Sequence, residues 1–68
     1  MREVAISTGS IRLGQFLKLA DVVDVGSAAR SLLDSGDVRV NGETESRRGR
    51  QLVPGDVVTV GDTELRVG

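Results

Sequence analysis

The sequence predicts an α+β domain with its helices first and its strands after. Three observations carry that reading. Apolar residues recur at helical spacing between Leu13 and Leu33, the pattern changes to period two from Val38 onward, and turn-forming pairs divide the second half into short pieces.

The elements follow in order. Val4-Ala5-Ile6 reads as a short strand, and Ser7-Thr8-Gly9-Ser10 as a break. Ser10 is expected to cap the first helix, because its hydroxyl can accept a bond from an orphan helix N–H. Leu13, Phe16, Leu17 and Ala20 then fall at i, i+3, i+4 and i+7, giving an amphipathic helix with one buried stripe. Lys18 lies nearly opposite that stripe and Arg12 on its flank, so both are expected to face water or a ligand. Asp21-Val22-Val23-Asp24 reads as the join to a second helix, with Asp24 as its cap. Val25, Ala28, Ala29, Leu32 and Leu33 share one face of that helix, and Arg30 projects away from it. Gly36 suits the left-handed residue that ends a helix. Two short helices joined by a few residues make a helical hairpin.

In the second half, Val38-Arg39-Val40 alternates, and Asn41-Gly42 is a strong hairpin signal. Gln51-Leu52-Val53 leads into Pro54-Gly55, a type II turn pair. Val57-Val58-Thr59-Val60 and Glu64-Leu65-Arg66-Val67 read as two further strands around a Gly61-Asp62 turn. Arg39 and Arg66 are expected on the outer side of the sheet.

Sixty-eight residues predict a single domain, 1–68. A domain of that size buries only about 60% of the surface its unfolded chain exposes, so its core is thin. The chain holds no cysteine and no histidine, which leaves it without a disulfide or a soft metal ligand. No metal and no cofactor are expected. Cysteine-free composition fits a reducing compartment. No apolar run approaches the ~20 residues that span a bilayer, and Met1-Arg2-Glu3-Val4 does not read as a signal peptide. The expected location is cytoplasmic, with no membrane partner.

Catalysis finds no support. General base, nucleophile and soft ligand chemistry would draw on His or Cys, and Asp21, Asp24, Asp34 and Asp37 sit in cap and turn contexts where Asp has a structural use. No glycine pattern matches a phosphate loop or a dinucleotide fingerprint. The chain is therefore expected not to be an enzyme and to take no small-molecule substrate.

Nine basic and ten acidic residues give a net charge of −1. Nucleic-acid binders usually show a basic excess, but placement matters more than the sum. Ser46-Arg47-Arg48-Gly49-Arg50-Gln51 holds three arginines and no acid, and it is the one concentrated charge in the chain. On its residues alone the cluster reads as a solvated loop, because short charge runs are common; it would also suit RNA, since the planar fork of arginine bonds phosphate oxygens bidentately and stays charged at ordinary pH. Phe16 is the sole aromatic residue and belongs to the apolar stripe. Recognition that stacks splayed bases on aromatic platforms is thereby excluded.

The helical pair, Gly36-Asp37-Val38-Arg39-Val40-Asn41-Gly42 and Pro54-Gly55-Asp56-Val57-Val58 together carry a resemblance. They are similar to the RNA-binding domain of small-subunit ribosomal protein four, the alpha-L RNA-binding motif. Gln15-Phe16-Leu17-Lys18-Leu19, Arg47-Arg48 and Gly61-Asp62 resemble its stand-alone bacterial YbcJ-like branch. The resemblance runs from about Ile11 to Val67. It implies a two-helix hairpin packed on a small, curved, mostly antiparallel sheet, with RNA lying against the helices and the hairpin loop. Carried over by position, the RNA-facing residues it implies are Arg12, Lys18, Arg30, Arg47, Arg48 and Arg50. Structured RNA, ribosomal or transfer, is the implied partner, and contact with ~4 phosphates would give a log–log salt slope of about −3 to −4. The rival reading is a protein-interaction module that pairs with or completes a larger complex, using its sheet edges and a thin core that a protein partner could supplement.

Overall fold

A computed structural model describes all of residues 1–68. The first strand, β1 (Arg2–Val4), begins two residues before the expected Val4-Ala5-Ile6. Its limits are set by pairing rather than by local pattern, because it runs parallel to the last strand with Arg2 opposite Leu65 and Val4 opposite Val67. The ladder continues past it, with the Gly68 N–H donating to Val4 O at 2.9 Å and the Ile6 N–H to Gly68 O at 3.3 Å.

Ser10 does not cap the first helix. Ile11 and Arg12 form β2 (Ile11–Arg12), held extended by antiparallel pairing with a later two-residue strand. Helix α1 (Leu13–Leu19) starts only after it, with Arg12 as an extended N-cap residue that makes no side-chain cap bond. Leu13, Phe16, Leu17 and Ala20 are buried, as the spacing predicts. The helix ends in a Schellman-type closure: the Val22 N–H donates to Leu17 O and the Asp21 N–H to Lys18 O, both at 3.0 Å. Asp21 occupies the left-handed position there, with φ of 64°, a conformation Asp tolerates better than most side chains. Arg2 Nη1 donates to Ala20 O at 2.9 Å and ties β1 to this helix end.

Asp24 does not cap the second helix either. Helix α2 (Gly26–Asp34) opens on an extended Val25 with no side-chain cap bond. Val25 is 53% exposed and so leaves the expected buried face, which Ala29 and Leu33 occupy with Ala28 and Leu32 at its edge. Gly36 ends the helix at φ 83°, as read from the sequence.

The strands follow: β3 (Val38–Val40), β4 (Glu43–Thr44), β5 (Gln51–Leu52), β6 (Val57–Val60) and β7 (Thr63–Val67). Strands β3 and β4 join through Asn41 and Gly42, both left-handed at φ 53° and 86°, the signature of a type I′ turn. One five-stranded sheet has the order β1-β7-β6-β3-β4, antiparallel except for β1 with β7. Strand β5 departs from expectation: it stops at Leu52, leaves Val53 exposed, and pairs with β2 outside the main sheet. The fold is α+β, a helical hairpin on a mostly antiparallel sheet. Its core joins Leu13, Phe16, Leu17 and Leu33 to Val38, Val40, Leu52, Val58, Leu65 and Val67. Arg39 alternates outward between two buried valines, and Arg66 likewise faces out. No helix is long and apolar enough to cross a membrane.

The two halves of the sequence motif meet in space. Asn41 Nδ2 donates to Asp56 Oδ1 at 3.1 Å, and Asn41 Oδ1 accepts from the Val57 N–H at 3.0 Å. Asp56 Oδ2 in turn accepts from the Val53 N–H across the Pro54-Gly55 turn. The Asn-Gly and Pro-Gly-Asp segments are thus one fastening between two turns.

Candidate nucleic-acid interface

Residues 45–50 connect β4 to β5 and carry the arginine cluster. They lie against the start of α1, whose first N–H groups have no partner within the helix. Backbone carbonyls of the loop supply one: Leu13 donates to Arg50 O at 2.8 Å and Gly14 to Arg48 O at 3.0 Å. This is the cap that the sequence suggested for Ser10. It comes from residues some 35 positions downstream, so no local pattern announces it. The loop packs closely on Gly14, where a Cβ would stand in ordinary contact with Arg48, 3.4 Å from its Cβ and 3.6 Å from its carbonyl oxygen.

A cleft of about 470 Å³ opens between α1, the start of α2 and this loop. Arg12, Lys18 and Arg48 line it, with Gln15 as a further polar group and Gly14, Gly26, Gly49 and Ala29 completing its wall. None of the ten acids does. Three of the six residues expected to face RNA are therefore brought together from three segments. Arg12, Lys18 and Arg48 make no ion pair, because both ion pairs in the molecule belong to Glu45.

The remaining three are placed differently. Arg30 is exposed on α2, lies outside the cleft lining and makes no ion pair with Asp34, the use that i,i+4 spacing would have offered. Arg47 and Arg50 both pair with Glu45, at 3.0 Å and 3.1 Å. Glu45 is the one buried charged residue in the chain. Its Oε2 accepts from the Ser46 N–H, the Arg47 N–H and Arg47 Nε, and its Oε1 from Arg47 Nη2 and Arg50 Nη1. Hydrogen bonding from Arg47 is the main reason its carboxyl falls from 4.5 to about 2, against burial, which pulls the other way. The Arg47 guanidinium is correspondingly raised by the same carboxylate. Sequence reading did not foresee the bonds of Glu45, and it missed Gln15 and the small residues of the cleft wall. The available signal was an acid two positions before Arg47 and five before Arg50, a spacing that a tight loop can close.

A family model described as the S4 domain matches residues 4–68. The chain belongs to the S4 domain family. S4 domains are RNA-binding, as the motif resemblance implied. A Bacillus subtilis (strain 168) protein named "Probable ribosome maturation protein RlbA" is 51% identical to this S4 domain over 57 residues, which span 84% of this chain and 80% of that one. The 30S ribosomal protein S4e from Thermoplasma acidophilum matches 88% of this chain with a TM-score of 0.66. At 23% identity that likeness is one of fold, and the chain spans 32% of that protein's length.

Proposed function

We propose that this S4 domain is a non-catalytic module that docks on structured RNA, its cleft cations gripping backbone phosphates. The observation that carries the reading is the convergence of Arg12, Lys18 and Arg48, none of them ion-paired, on one cleft without an acid. Like charges brought together by a fold repel and cost stability unless a ligand neutralises them. Phosphates do so, and the counterions they release add a salt-dependent gain in affinity. Arg30 sits outside this centre as part of the surrounding field, while Arg47 and Arg50 are engaged by Glu45.

The form of the RNA follows from what the cleft lacks. Phe16, the sole aromatic residue, is fully buried, so no aromatic platform exists for a splayed base. A polar cleft walled by Gly14, Gly26, Gly49 and Ala29 fits a sugar–phosphate edge, where close backbone approach matters more than base identity. Helical RNA is the natural ligand for that geometry. The relative's name ties that protein to ribosome maturation, which favours ribosomal RNA over transfer RNA as the partner here.

The test is binding to purified ribosomal RNA and to transfer RNA across a salt series, with an Arg12→Gln/Lys18→Gln/Arg48→Gln variant alongside. Loss of three phosphate contacts should flatten the log–log salt slope by about 2 to 3. An unchanged slope from the folded variant would reject the cleft as the contact. These three are the clean choice, because removing Arg47 and Arg50 would strip a buried carboxylate of its partners and disturb the loop as well.

A further inference from the structure

Glu45 lies within the basic loop, and on charge alone it should weaken RNA binding. Its contacts point the other way. Its own N–H donates to Val38 O at 3.0 Å, fixing the residue to β3. Its carboxylate then gathers two backbone N–H groups and both flanking guanidinium groups, turning the chain back on itself between Ser46 and Arg50. The folded-back loop is what offers Arg48 O and Arg50 O to the start of α1 and sets the Arg48 stem against Gly14. A continuous chain of contacts thus runs from β3 through Glu45 and the loop to the residue that lines the cleft.

We infer that Glu45 is the positioning residue of the RNA cleft: it spends Arg47 and Arg50 on holding the loop so that Arg48 stands with Arg12 and Lys18. The role rests on the RNA-docking reading above. It divides three arginines that look alike in sequence into two that shape the loop and one that completes the cleft. It also reverses the expected sign of a mutation. Removing an acid beside a phosphate site ordinarily tightens binding, whereas removing this one should loosen it.

Affinity for purified ribosomal RNA is measured for the wild type, Glu45→Gln, Glu45→Asp and Glu43→Gln. Glu43→Gln deletes the same charge two residues away without touching any of the Glu45 bonds, and it sets the effect of charge alone. Glu45→Gln is expected to bind about fivefold more weakly if the loop then holds its competent shape about a fifth of the time. Amide exchange at Leu13 and Gly14 should quicken, while exchange at Val40 and Val58 in the sheet stays as in the wild type. Glu45→Asp keeps the charge but shortens the reach by one methylene. It should weaken binding in the same direction, and it reports even if the Gln variant does not fold. Tighter binding by Glu45→Gln, matching Glu43→Gln, overturns the role, as does wild-type binding by Glu45→Asp. A wild-type protein that binds no RNA overturns the docking reading and this role with it. A wild type that binds, beside a Gln variant that binds better, overturns this role alone.

Discussion

At the scale of single residues, one carboxylate set against two guanidinium groups makes the arginine loop sensitive to acid. The Glu45 carboxyl titrates at about 2 in the folded protein instead of 4.5. Between those values the unfolded chain binds the proton and the folded one does not, so acid favours unfolding. The stabilisation is therefore whole above about pH 4.5 and lost as pH falls toward 2. The group is covered by its own loop and arginines rather than sunk in the core, and water nearby screens the pair. Glu45→Gln should accordingly cost about 1–2 kcal/mol at neutral pH. Denaturant titrations should show that gap constant down to about pH 5 and closing below it; a gap indifferent to pH would mean that the carboxylate titrates normally. The arginines were legible in the sequence because their charge is a property of residue type. Glu45 was not, because whether an acid opposes a basic cluster or organises it depends on which donors the backbone turns toward it.

At the scale of elements, much of the fold could be read locally. The burial of Leu13, Phe16, Leu17 and Ala20 follows from spacing, and the Asn41-Gly42 turn follows from two residues that accept positive φ. The helix starts could not be read so, because what satisfies the first N–H groups of α1 arrives from Arg48 and Arg50. Replacing Ser10 or Asp24 by Ala should consequently shift stability by no more than about 0.5 kcal/mol, whereas a true cap would cost about 1 kcal/mol. Thermal melts of the two variants separate these outcomes. Asn41 and Asp56 behave in the opposite way. Each looks like an ordinary turn residue, yet their side chains bond across 15 positions of sequence. A double-mutant cycle on Asn41→Ala and Asp56→Ala should give a coupling of at least about 0.5 kcal/mol, and strictly additive losses would show the bond to be idle. This fastening supplies a physical reason for the paired Asn-Gly and Pro-Gly-Asp motif: the two turns hold one another.

At the scale of the whole molecule, a small core and an uneven charge distribution govern behaviour. A single hydrophobic core in a chain this short rarely supplies more than about 3–5 kcal/mol. Phe16 is its largest fully buried side chain, and Phe16→Ala, at about 3–5 kcal/mol, should leave the protein largely unfolded at 37 °C by circular dichroism. A well-folded variant would mean that the helical hairpin draws its stability from elsewhere. The net charge of −1 says little about function, because the acids are kept out of the cleft and Glu45 is consumed by its own loop. The most direct test of the central claim is to follow backbone amide resonances while a helical ribosomal RNA fragment is added. The account expects the largest shifts at Arg12, Gly14, Gln15, Lys18, Gly26 and Gly49, around the cleft. Shifts centred instead on Arg39, Thr59 and Arg66, on the outer face of the sheet, would contradict it.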